Sequence, residues 1–182
     1  KKEIDWYYEE AGANMVFPEK WEQYKAQIPG VSPRNMVEAY HRLLTSEDEK
    51  VRLTAALAWS RWEAATSKLE DDGSLTTKFE DPHLALSFAR IENHYFRNGI
   101  FLPSDDYLLG EVAKLQGIPT RIVQGRYDMV CPIKPAWDVK KAMNIPDEEF
   151  RVVIAGHSAL EAEIRSELIQ TTQDFKKYFT RY

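Results

Sequence analysis

One cysteine, Cys131, stands in 182 residues. No disulfide can form within the chain, so stability must come from a buried core, and a reducing, cytoplasmic setting is expected. Apolar runs are short. None approaches the roughly 18 residues that a membrane-spanning helix needs, and no signal-peptide pattern opens the chain. No membrane partner is expected. Clustered positive charge is also missing. Lys and Arg number 24 against 29 Asp and Glu, the net charge is -5, and the longest basic cluster is the pair Lys140-Lys141. Phosphate-binding surfaces need a basic patch, so no nucleic acid is expected as a partner. Neither a metal nor an organic cofactor is expected. The chain opens on Lys1-Lys2 without a Met and reads as helix at once, which points to a fragment or a processed chain.

An apolar content of 43% is enough for a sizeable core. The chain divides into two stretches of different periodicity, 1–102 and 103–182. The first reads as helical throughout. Ile4, Trp6, Tyr7 and Tyr8 open a short amphipathic piece, and helices are expected over 19–27, 34–44, 47–68 and from Asp81-Pro82 to Arg97. Ser32 and Pro33 suit the start of the second, and Ser46 with Glu49 has capping-box spacing for the third. Asp71-Asp72-Gly73 reads as a loop. From Pro103 the pattern changes. Helix is expected over 105–115, 135–143 and 161–178, and β-branched strands over 120–123, closed by Gly125, and 150–154, closed by Gly156. Alternating strands and helices at this spacing argue for an α/β fold with a parallel sheet. Two strands cannot cover both faces of such a sheet, so further strands are expected from elsewhere.

Functional groups in open parallel sheets collect beyond the carboxyl ends of strands. Asp128 follows the first strand and His157 the second. Adjacent strands would bring the two side by side, and a carboxylate can then fix the imidazole tautomer and stabilise the imidazolium. The order acid then histidine is that of α/β-hydrolases, whose serine comes earlier in the chain. The plainer alternative also stands: Asp128 caps a turn and His157 is a loop residue. No G-x-S-x-G elbow occurs anywhere in the chain. Ser158 is a decoy, since Leu160 occupies its second glycine position and it directly follows His157. Cys131 lies three residues from Asp128, on the acid's own loop, and makes a poor nucleophile candidate.

These residues resemble the proline iminopeptidases. The stretch from Ile118 through Gly125-Arg126-Tyr127-Asp128-Met129-Val130-Cys131-Pro132 is similar to their acid loop, and Ala155-Gly156-His157-Ser158-Ala159 to their histidine loop. Glu10-Ala11-Gly12-Ala13, Phe17 to Glu22, Ala39 to Leu43, Ala58 to Glu63 and Ala89 to Phe96 resemble their helical cap. The resemblance implies a serine exopeptidase that releases N-terminal proline from peptides. It implies residues 1–102 as a helical cap and 103–182 as the C-terminal part of an α/β-hydrolase core. Asp128 becomes the triad acid and His157 the base. The serine belongs to a missing N-terminal half, without which the chain is expected to be inactive. Two positions depart from the family. Ala64 stands where Gly is frequent and Gln124 where His is common; neither is expected to touch the acid or the base.

A substrate with a cationic N-terminal amine needs a negative pocket with an apolar wall. Glu63 follows Trp59 by four residues and adjoins Trp62. Glu92 follows Phe88 by four and precedes Tyr95 and Phe96, so each carboxylate sits on an aromatic stripe. Spacing alone favours a salt bridge, to Arg61 or Arg90, or a solvated face. The resemblance instead implies that both recognise the amine. Cys131 is expected either to border the site without doing chemistry or to be a small buried apolar residue. Two other classes remain open: another capped α/β-hydrolase, such as an esterase or epoxide hydrolase, and a non-catalytic helical binding protein.

Overall fold

A computed structural model describes residues 1–30, 32 and 34–178. The chain forms two compact units, the first Lys1–Asp105 and the second starting at Asp106. The fold is helix-rich α/β. Among the described residues no helix is long and apolar enough to cross a membrane.

The first unit is helical: α1 (Lys2–Tyr8), α2 (Pro18–Lys25), α3 (Met36–Leu44), α4 (Glu49–Thr66), α5 (Ser74–Lys78) and α6 (Pro82–Arg97). No strand occurs among its described residues. The long α4 is the spine, packing against α2, α3, α5 and α6. Its inner face carries Ala55, Ala56, Trp59 and Trp62, all essentially inaccessible. Around the two indoles gather Tyr7, Tyr8, Trp21, Tyr24 and Tyr40. Tyr24 stacks on Tyr40 with ring centres 4.4 Å apart, and Tyr8 stacks on Trp59 at 4.5 Å. Each such ring contributes about 1.5–3 kcal/mol by leaving water, so the aromatics supply most of this core. The facing side of α6 is built from small residues. Ala85, Ala89 and Asn93 recur every four positions and are buried, which gives α6 a flat face against its neighbours.

Asn93 is the polar exception in that face. Its amide nitrogen donates to Val37 O at 2.8 Å, and its oxygen faces His41 Nδ1 at 3.2 Å, tying α6 to α3. Two helix starts differ from expectation. α3 begins at Met36, because the Glu9 carboxylate accepts from Met36 N at 2.9 Å and Val37 N at 3.3 Å. Ser32 forms only the turn before it, and Pro33 lies outside the described residues. α4 is capped by Asp48 rather than by a Ser46–Glu49 box: Asp48 Oδ1 accepts from Lys50 N and Val51 N, and Ser46 Oγ accepts from Asp48 N. Asp81 caps α6 in the same way, with Pro82 in its first turn, as expected. α5 was not foreseen; it follows Gly73, whose φ of 71° places it in the left-handed region.

The second unit contains α7 (Tyr107–Gly110), β1 (Ile122–Gly125), α8 (Ile133–Met143), β2 (Phe150–Val153) and α9 (Ala162–Phe175). The helix expected over 105–115 is broken: one α-turn, then a 3-10 turn over Val112–Leu115. Gly110 and the exposed Leu108 and Leu109 leave it no continuous buried face. β1 and β2 pair in parallel, with Ile122 opposite Phe150 and Gly125 opposite Val153. Both α8 and α9 pack on β1. The strand's N-terminal end is anchored by Arg121, whose guanidinium bonds Glu149 and, at 2.7 Å, Asp174 near the end of α9.

Replacing Asn93 by Ala removes a buried and a part-buried hydrogen bond and strands the Val37 carbonyl. The expected loss is about 1–3 kcal/mol of stability in the first unit, read by urea unfolding followed through tryptophan fluorescence.

Candidate functional site

The paired strands deliver their loops to one place. Beyond β1 the chain stays attached to β2's continuation: Arg126 N donates to Val153 O at 2.8 Å and Tyr127 N to Ala155 O at 3.0 Å. Gly125 makes this approach possible. A Cβ there would lie 1.9 Å from Gly156 O, closer than any real contact. The Gly residue at the end of the strand is thus a requirement of the neighbouring loop.

Asp128 is 7% exposed, and every oxygen is engaged. Oδ1 accepts from Val130 N at 3.0 Å and Cys131 N at 2.7 Å. Oδ2 accepts from Gln124 Nε2 at 3.3 Å and lies 3.0 Å from His157 Nδ1. The backbone bonds orient the carboxylate, so Oδ2 can receive Nδ1–H and leave Nε2 as the basic nitrogen. The His157 side chain is 39% exposed. Its pKa is pushed up from 6.5 to about 10, chiefly by the hydrogen bond to Asp128, secondly by the Cys131 sulfur, with burial acting in the opposite direction.

Asp128 and His157, expected from sequence to meet, do meet. Ser158 takes no part: its Oγ accepts from Leu160 N at 3.2 Å in a local turn. Gln124 corrects an expectation. It was set aside as remote from acid and base, yet its amide reaches Asp128 Oδ2 and also Cys131 O at 3.2 Å. Strand register puts it there, and no sequence spacing signals it. Cys131 is exposed, which overturns its reading as a buried apolar residue.

The other two expected residues lie in the first unit. Glu63 is 8% exposed, and its carboxylate accepts from Tyr8 Oη and, at 3.5 Å, from Tyr7 Oη. Glu92 accepts from Trp59 Nε1 at 3.0 Å. Since Tyr8 stacks on Trp59, one aromatic pair carries both carboxylates. Both donors are neutral aromatic side chains. The stripe along α6 is not single: Phe96 joins Tyr8, Phe88 packs on Phe79, and Tyr95 is exposed beside Phe101. Among the described residues no group of His, Cys, Asp and Glu could hold a metal ion.

The raised His157 pKa has a stability consequence with a definite sign. The ion pair's contribution is full below pH 6.5 and is lost as the pH climbs through about 10. An NMR titration of the imidazole should show a midpoint well above 6.5 in this chain. Asp128→Asn should return it toward 6.5, and Gly125→Ala, which forces the histidine loop away from β1, should lower it too.

No protein-family model matches the chain. Curated relatives do. A proline iminopeptidase of Xanthomonas citri is 48% identical over 174 residues, 95% of this chain and 55% of its own length. A probable proline iminopeptidase of Leptolyngbya boryana is 50% identical over 96% of the chain and 54% of its own. The proline iminopeptidase of Arabidopsis thaliana is 46% identical over 97% of the chain and 46% of its own. The chain spans about half the length of the curated relatives it matches. Over about 95% of its residues, it is a homologue of the proline iminopeptidases.

Proposed function

We propose that this chain is the C-terminal part of a serine exopeptidase that releases N-terminal proline from peptides. The observation that carries the proposal is the 3.0 Å pairing of Asp128 Oδ2 with His157 Nδ1 at the ends of two adjacent parallel strands. The similarity to proline iminopeptidases supports the same reading. The second unit is then part of an α/β-hydrolase core and the first its helical cap. A serine from the N-terminal half completes the triad, in a cytoplasmic protein that needs no cofactor.

In this mechanism His157 Nε2 takes the serine proton as the hydroxyl attacks the prolyl carbonyl, and returns it to the departing amine. Asp128 holds the tautomer and balances the imidazolium. Gln124 and the N–H groups of Val130 and Cys131 hold Asp128 in turn. Glu63 and Glu92 receive the cationic amine of the substrate. Glu63 accepts from Tyr8 and Glu92 from Trp59, so both carboxylates are presented on one aromatic stack. A buried carboxylate held this way is favourable to an ammonium and indifferent to a neutral acyl group.

In the longer protein, Glu63→Gln and Glu92→Gln should each reduce kcat/KM for a prolyl peptide by about 100-fold or more, the loss of a buried charge pair. Turnover of an uncharged ester should fall far less. Equal losses on both substrates would reject amine recognition and favour a general esterase. In the longer protein hydrolysis should also fail at low pH, where His157 becomes an imidazolium that cannot accept the serine proton. A flat profile across that limb would reject His157 as the base. The 182-residue chain alone should not hydrolyse a prolyl anilide.

A further inference from the structure

One side chain closes the loop that carries the histidine. β2 ends at Val153 and α9 starts at Ala162, with His157 between them. Gly156 N donates to both carboxylate oxygens of Glu161, at 2.9 and 3.1 Å. The backbone N–H of Glu161 donates to Ser158 O at 3.0 Å. Residues 156–161 therefore form a ring with His157 on it, drawn shut at both ends by Glu161.

Glu161 is also the N-cap residue of α9, yet its side chain makes no capping hydrogen bond. Residues favoured at that position are Ser, Thr, Asp and Asn, whose short side chains reach the first free N–H groups. A glutamate is a poor choice for the helix and a good one for the loop, because its extra methylene lets the carboxylate turn back to Gly156. The bond is not dispensable. Gly156 is buried, its carbonyl lies over Gly125, and a buried N–H without an acceptor costs about 1–3 kcal/mol.

We propose that Glu161 is a positioning residue for His157, fixing the backbone on which the ring turns toward Asp128. Asp128 holds the ring from one side and Glu161 holds its chain from the other. The proposal rests on the reading of His157 as the base of the longer enzyme.

Glu161→Asp separates the loop from the helix. The shorter acid keeps the charge at the start of α9 and suits the cap better, but it cannot reach Gly156. In the 182-residue chain, the His157 titration midpoint should fall by about one pH unit or more. The Gly156 amide should exchange with solvent about tenfold faster or more, while the thermal midpoint falls only modestly, because the better helix cap offsets part of the lost bond. Glu161→Gln retains an acceptor oxygen and should keep most of both properties. In the longer enzyme, Glu161→Asp should lower kcat about tenfold with little change in KM. An unchanged His157 midpoint and Gly156 exchange rate in Glu161→Asp would overturn the proposal. So would a Glu161→Gln variant that loses both as completely, since that assigns the effect to charge. Failure of the base reading looks different: His157→Gln in the longer enzyme would leave prolyl-peptide turnover intact, while Glu161→Asp in the 182-residue chain still shifts the Gly156 exchange rate and the His157 midpoint.

Discussion

Gly125 lets the backbone of Gly156 lie against the end of β1, and the candidate chemistry depends on that approach. Parallel pairing places Gly125 opposite Val153, and the absent Cβ lets the next loop's carbonyl lie against the strand end. Hydrogen bonds from Arg126 and Tyr127 then carry the two chains together past the end of the sheet. By the time Asp128 and His157 are reached, the separation of their side chains is largely decided by backbone. The side chains complete the arrangement. The Asp128 carboxylate is turned by two backbone N–H groups, and the ring follows it.

The two halves of the chain solve opposite electrostatic problems. In the second unit a carboxylate meets a group that can become its counter-charge, and the imidazole pKa rises accordingly. In the first, two carboxylates are set on a tyrosine–tryptophan stack and hydrogen-bonded by rings that can never carry a positive charge. Such donors reduce the cost of burying an acid without cancelling its charge.

Much of this was legible in the sequence, for local reasons. β-branched runs closed by glycine identify both strands, and period-two geometry with parallel pairing brings Asp128 to His157. Asp81-Pro82 marks its helix because cap and first turn are adjacent. What was not legible depends on distant partners. The start of α3 is decided by Glu9, and the environment of Glu63 by Tyr8, 55 residues away. Gln124 and Glu161 act on backbone groups whose positions follow from register, so no spacing of side chains reveals them. The aromatic donors to Glu63 and Glu92 come from the packing of α1 against α4 and α6, which no local spacing signals.

Glu9 has a wider meaning for how the first unit assembles. Its carboxylate serves as the cap of a helix 27 residues further along the chain. The first turn of α3 therefore cannot be completed by its own neighbourhood; a loop must close first, and helix–coil equilibrium in α3 becomes coupled to docking of α1. Since Tyr7 and Tyr8 of that same short helix enter the aromatic core, α1 is a keystone of cooperativity in the unit. A nine-residue segment thereby links nucleation of α3 to the setting of the Glu63 and Glu92 carboxylates, so that partial unfolding at one is felt at the other.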